Sequence, residues 1–152
     1  MWRAHPELLR ACLVPLFVLL CYRFDWAAWR TFTCDVFLAA AHWIGIPAGR
    51  LAPTSFALDG HVFGFVIACT ALDAFFGSIP LLWRPGKGAP ANLLFFAAYF
   101  AVLSAVNLAR LEAGFILFLR GVPWSLAHEA MAGVFYFALF LWIARQRGWS
   151  IR

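Results

Sequence analysis

From Ala91 to Ala109 the chain runs without one charged residue, and the run closes on Arg110. At about 1.5 Å per helical residue, Ala91 to Arg110 reaches roughly 29 Å, close to the hydrocarbon thickness of about 30 Å. Backbone polar groups in lipid are satisfied only within helices or closed barrels, so a run of this kind predicts a membrane-spanning helix. Composition extends the argument to the whole chain. With 64% hydrophobic and 12% charged residues, the 152 residues fall far outside the range of soluble globular proteins. The expectation is an all-α integral membrane bundle forming a single domain over residues 1–152.

Hydropathy and punctuation divide that bundle into about four transmembrane helices, an interfacial amphipathic helix and a small extracytoplasmic β-hairpin. The spans are expected at 8–24, 66–83, 91–113 and 127–146. The first ends in Cys21-Tyr22-Arg23, a poor cleavage context, and is kept as an anchor with Pro15 inside it. Residues 25–46 carry Arg30, Asp35 and His42 among apolar residues and three tryptophans, Trp26, Trp29 and Trp43. This pattern suits a helix lying along the membrane surface, stopped by Gly45 and Pro47; a second full span is the competing reading. In residues 50–65 the pair Asp59-Gly60 between short alternating runs signals a hairpin turn. Gly114 to Trp124 either extends the third span or doubles back, and Gly121 with Pro123 closes it.

Orientation follows from the basic residues. The turn Arg84-Pro-Gly-Lys-Gly-Ala-Pro90 and the tail Arg145-Gln-Arg147 read as cytoplasmic. Placing Arg3, Arg10, Arg84, Lys87, Arg145, Arg147 and Arg152 inside leaves five of the twelve basic residues outside. The net charge of +5 is thus a matter of topology, with no basic stripe for nucleic acid.

The chemistry gathers at the other face. Cys69 stands where the polar segment passes into the apolar run from Val66 to Trp83, and the spacing predicts it in the first turn of a helix. Unpaired N–H groups and the macrodipole there favour the nucleophilic thiolate. Counting back from the basic ends by helical rise, Cys69, Arg110 and His128 all come to the same outer membrane face. Asn107 is three residues from Arg110 and shares its helix face. Each has a plainer reading: Cys69 as small apolar filler, Arg110 snorkelling to headgroups, His128 as an interfacial cap. Asn107 is too short to snorkel, which favours a partner inside the bundle. The other cysteines, Cys12, Cys21 and Cys34, form no C-x-x-C pair and no zinc spacing. Metal or haem binding through His42, His61 and His128 is disfavoured by their separation, so no cofactor is expected.

The succession of a surface helix, an Asp-Gly hairpin, Cys69-Thr70-Ala71-Leu72, Asn107-x-x-Arg110, then His128 with Gly133 resembles the exosortase/archaeosortase family over about Trp26 to Trp149. In that family the cysteine is usually followed by Ser-Gly-Leu; Thr70-Ala71-Leu72 keeps a hydroxyl and a small residue. The resemblance implies a membrane-embedded cysteine protease/transpeptidase in the cell's inner membrane with its active site on the extracytoplasmic face. It implies Cys69 as nucleophile, His128 as general base and acid, and Arg110 steadying the oxyanion or thiolate, with Asn107 bracing Arg110. Its partners would be membrane lipids and the C-terminal sorting tails of exported proteins, each a Pro-Glu-Pro-like motif, a transmembrane helix and a basic cluster. The alternative from the residues alone is a non-catalytic membrane anchor or assembly protein.

Overall fold

The computed structural model describes residues 6–148. Five helices and one small sheet follow in the order α1 (Pro6–Tyr22), α2 (Ala27–Trp43), β1 (Gly49–Ala52), β2 (Ser55–Leu58), β3 (His61–Gly64), α3 (Leu72–Leu82), α4 (Ala89–Leu119) and α5 (Trp124–Gln146). Arg3 and Arg152, counted above with the inner basic residues, lie outside the described residues.

Among the described residues, α4 and α5 are the two helices long and apolar enough to cross a membrane, with mean hydropathies of 1.8 and 1.6. The expectation of four such spans is not met. Helix α1 has 17 residues, about 26 Å, and α3 has 11, about 16 Å, roughly half the hydrocarbon thickness. Helix α4 instead outruns its expected end at 113: Gly114 continues the helix, which stops after Leu119 with Gly121 at φ 87°. Glycine carries that left-handed turn without steric cost, and α5 folds back antiparallel along α4.

Helix α1 lies antiparallel on α3. The Arg10 guanidinium donates to the Trp83 carbonyl at one end and the Tyr22 hydroxyl to the Asp73 carboxylate at the other. Gly77 lets the two backbones approach, because a Cβ there would meet Val18 Cγ2 at 3.2 Å. At the same end as Trp83, Arg147, just after α5, pairs with Glu7 of α1. The turn after α3 is held by Asn92, whose Nδ2 donates to the carbonyls of Arg84 (3.0 Å) and Lys87 (3.1 Å).

The opposite end carries α2 and the sheet. Cys34, Phe37, Leu38 and Ala41 of α2 are buried at i, i+3, i+4 and i+7, the single apolar stripe of an amphipathic helix. They pack on Phe56 and Leu58 of β2, on Phe65 just after β3, and on Leu111 and Phe115 from α4. The expected hairpin is a three-stranded antiparallel sheet, β1-β2-β3. Asp59-Gly60 makes the β2–β3 turn as read, with φ 49° and 73°, closing the Leu58–His61 pair. Pro53-Thr54 makes a second two-residue reversal, pairing Ala52 with Ser55 after a register shift. Beyond it, β1 is exposed along its whole length and so lacks the alternation that marks a strand in sequence.

Candidate active site

Cys69 does not open a helix. Residues Ile67–Cys69 form a short 3-10 turn, Ala71 takes a left-handed conformation at φ 60°, and α3 begins only at Leu72. The cause is visible in the hydrogen bonds. In a continuous α-helix the Ala68 and Cys69 carbonyls would accept from the N–H groups of residues 72 and 73. Here the Ala68 carbonyl accepts from Arg110 Nη2 at 3.0 Å and the Cys69 carbonyl from Asn107 Nδ2 at 2.8 Å. Thr70 also turns inward, its hydroxyl donating to the Ile67 carbonyl at 2.6 Å, a local bond of the kind that competes with helix.

Arg110 completes the brace by donating from Nε to Asn107 Oδ1 at 3.1 Å. Asn107 is 1% exposed and Arg110 9%, so a charged group sits inside the bundle against the turn that carries the thiol. Its guanidinium carbon lies 5.5 Å from the centre of the Phe135 ring of α5. Asn107 therefore does more than orient Arg110; it holds the Cys69 backbone itself.

His128 projects from the second turn of α5, half-buried, with its ring 5.2 Å from Trp124. Cys69 and His128 both line one cavity of about 480 Å³, whose walls come from β3, the 3-10 turn, α4 and the start of α5. Phe63, Phe115 and Trp124 supply much of its aromatic lining, with Phe115 and Trp124 stacked at 4.3 Å. Arg110 holds this turn through the Ala68 carbonyl and lines a different groove, between α4 and α5. The structure thus joins Asn107 and Arg110 to the backbone of the Cys69 turn and brings Cys69 and His128 to one cavity.

The expected activation of the thiol by a helix N-terminus is overturned with the helix. Burial pushes the Cys69 thiol above its ordinary value, an effect opposed by hydrogen bonding with the Val66 backbone and by the Arg110 guanidinium, and reinforced by Asp73. Arg110 is the compensating charge, and removing it would raise the thiol further.

Two features were missed in the sequence. Trp124 sits four residues before His128 on one helix face, a spacing that could have announced the ring contact. Asp73, four residues after Cys69, accepts from Tyr22 of α1 (3.4 Å) and Tyr136 of α5 (3.1 Å), tying three helices below the site. No local signal marks that convergence, since its donors are 51 and 63 residues away. Among the described residues no group of histidines, cysteines and carboxylates is arranged to hold a metal ion. No protein-family model, curated protein or solved structure matches the chain.

Proposed function

We propose that the chain is a multi-pass membrane cysteine peptidase and transpeptidase of the exosortase/archaeosortase kind. The observation that carries the proposal is the pairing at one cavity of a thiol and an imidazole from separate elements, with the thiol's turn pinned by a buried guanidinium and amide. In this reading α4 and α5 cross the inner membrane and α1 crosses beside them. Helix α3 enters to about half its depth, and the sheet, α2 and Cys69 face the extracytoplasmic side. Apolar side chains turned outward along the bundle, such as Leu19, Leu94, Val134 and Phe137, fit a lipid surround.

The reaction begins when His128 takes the proton of the Cys69 thiol. The thiolate attacks the scissile carbonyl of a substrate's C-terminal sorting tail, and a tetrahedral oxyanion forms. Its collapse breaks the C–N bond, leaves a thioester on Cys69, and passes the proton from His128 to the departing amine. An acceptor nucleophile at the cell surface then gives its proton to His128 and attacks the thioester, releasing Cys69 as thiolate, which recovers that proton from His128. Arg110 serves the thiolate through its fixed charge; its hydrogen bonds to Ala68 and Asn107 make it and Asn107 positioning residues for the turn.

A second reading, a non-catalytic membrane anchor or assembly protein, draws on the same brace. Burial raises the Cys69 thiol, and the donors of Arg110 and Asn107 end on backbone carbonyls, as in a purely structural tie. Substitution separates the two. With Cys69→Ala and Cys69→Ser in membranes, processing of a tail-bearing substrate, followed on a gel, falls by about 10⁴-fold or more if Cys69 is the nucleophile. Unchanged processing in both variants sinks the peptidase reading and leaves the anchor.

A further inference from the structure

Between α4 and α5 runs an open groove of about 550 Å³ whose lining shares no residue with the Cys69 cavity. Arg110 lines it at one end, and at the other Tyr99 and Trp142 bridge the two helices with rings stacked at 5.4 Å and 5°. The wall between them is apolar: Val106 and Ala109 on α4 face Val134 and Ala138 on α5. Arg110 is nine-tenths buried, and the described residues form three ion pairs, none of which includes it. A desolvated cation without a carboxylate is costly, and in a bilayer such a group pairs with another charge or with backbone carbonyls, of which Arg110 has one, that of Ala68. Its bonds to Asn107 and Ala68 use Nε and one N–H of Nη2, so three of its five N–H donors remain.

The dimensions select the partner. From Arg110 to Tyr99 the groove follows eleven helical steps, about 16 Å, which is close to half the hydrocarbon thickness of about 30 Å. A transmembrane helix would need a track about twice that long and stands about 10 Å wide or more. A single acyl chain from one leaflet matches the length, and its headgroup would then lie at the depth of Arg110. We propose that the α4–α5 groove is a binding site for an anionic phospholipid of the outer leaflet, its phosphate on Arg110 and one acyl chain along the groove to Tyr99 and Trp142. This rests on the membrane-spanning reading of α4 and α5 and is independent of the peptidase activity.

The test uses the full chain in detergent micelles and native mass spectrometry, with phosphatidylglycerol and phosphatidylcholine of identical chains supplied together. The expected result is one phosphatidylglycerol retained per protein, about tenfold over phosphatidylcholine, with the preference abolished in Arg110→Gln. Val106→Trp with Ala138→Trp fills the groove and should release the lipid; circular dichroism checks that this variant keeps its helices. The wild-type competition stands even if the filled variant misfolds. Equal retention of the two lipids by the wild type means annular lipid only and overturns the proposal. So does displacement by glycerol phosphate, which would make the site one for a free phosphate, or by a neutral transmembrane peptide, which would make it a helix dock. Loss of the chain from the membrane fraction in a carbonate wash overturns the membrane-spanning reading itself.

Discussion

Two asparagines on α4 do the same structural work at the two ends of α3, and only one of them stands beside chemistry. Asn92 and Asn107 are each 1% exposed and each holds backbone carbonyls of the segment adjoining α3. Asn92 closes on the turn after α3 and is satisfied wholly by backbone, accepting from the Arg84 N–H and donating to the carbonyls of Arg84 and Lys87. Asn107 donates to the Cys69 carbonyl before α3 but accepts from a guanidinium, which reaches past it to Ala68. The first end is a neutral clasp on an exposed basic turn. The second imports a buried charge to a turn bearing a thiol. A buried amide that pins a chain reversal is a packing device; its neighbour's charge is what turns the place into a candidate site.

Four measurements would break or sharpen that contrast. The largest effect is expected of Arg110→Gln, which should slow substrate processing by about 10²-fold, the loss that misplacing a reacting group by about 1 Å typically causes. An unaffected rate would reduce the Cys69 end to a clasp like the other. Next, Asn107→Ala and Asn92→Ala should each lower stability by about 1–3 kcal/mol, the cost of stranding buried partners, read as thermal unfolding in detergent. The contrast predicts that only Asn107→Ala also changes the alkylation rate of Cys69 by an impermeant maleimide, against a Cys69→Ser background control. If Asn92→Ala moves that rate equally, α3 transmits strain along its length and the two ends are not independent.

The third measurement is the pH profile of that alkylation. Burial raises the folded-state thiol above its ordinary value of 9.0, so the rate should still be climbing at pH 9. Because Arg110 lowers the thiol, Arg110→Gln should carry the profile further up in pH; a downward shift would remove Arg110 as the compensating charge. A group with a raised folded-state value favours the folded state while protonated in both states, so at pH values where the unfolded thiol ionises and the folded one does not, the thiol's contribution is being lost. Smallest is Ala71→Gly. Ala71 holds φ 60°, where glycine is tolerated without steric cost, and the substitution should stabilise the chain by about 0.5–1 kcal/mol in the same unfolding assay. Destabilisation instead would mean that its methyl group, buried in the cluster with Phe96 and Phe135, outweighs the backbone strain.

Much of the architecture was legible residue by residue. Uncharged runs predicted α4 and α5, the stripe Cys34, Phe37, Leu38, Ala41 agrees with an amphipathic α2, and Asp59-Gly60 placed a reversal. What misled was continuity. Val66 to Trp83 reads as one apolar helix because hydropathy does not register that two of its carbonyls are claimed from 38 and 42 residues away. The first strand, exposed throughout, has no alternation to find.

Periodicity, glycine and proline placement, and the distribution of charge are local properties, and they alone determined that this chain makes long apolar helices with its turn from Arg84 to Pro90 at one end and its Asp-Gly hairpin at the other. Where Cys69 sits in its turn, which carbonyls Asn107 and Arg110 hold, and that Cys69 and His128 open onto one cavity were decided only by the tertiary structure. The physical reason is that a buried amide and guanidinium on α4 need acceptors inside the bundle, and the Cys69 and Ala68 carbonyls they hold lie 38 and 42 residues away in sequence, where no local pattern registers them.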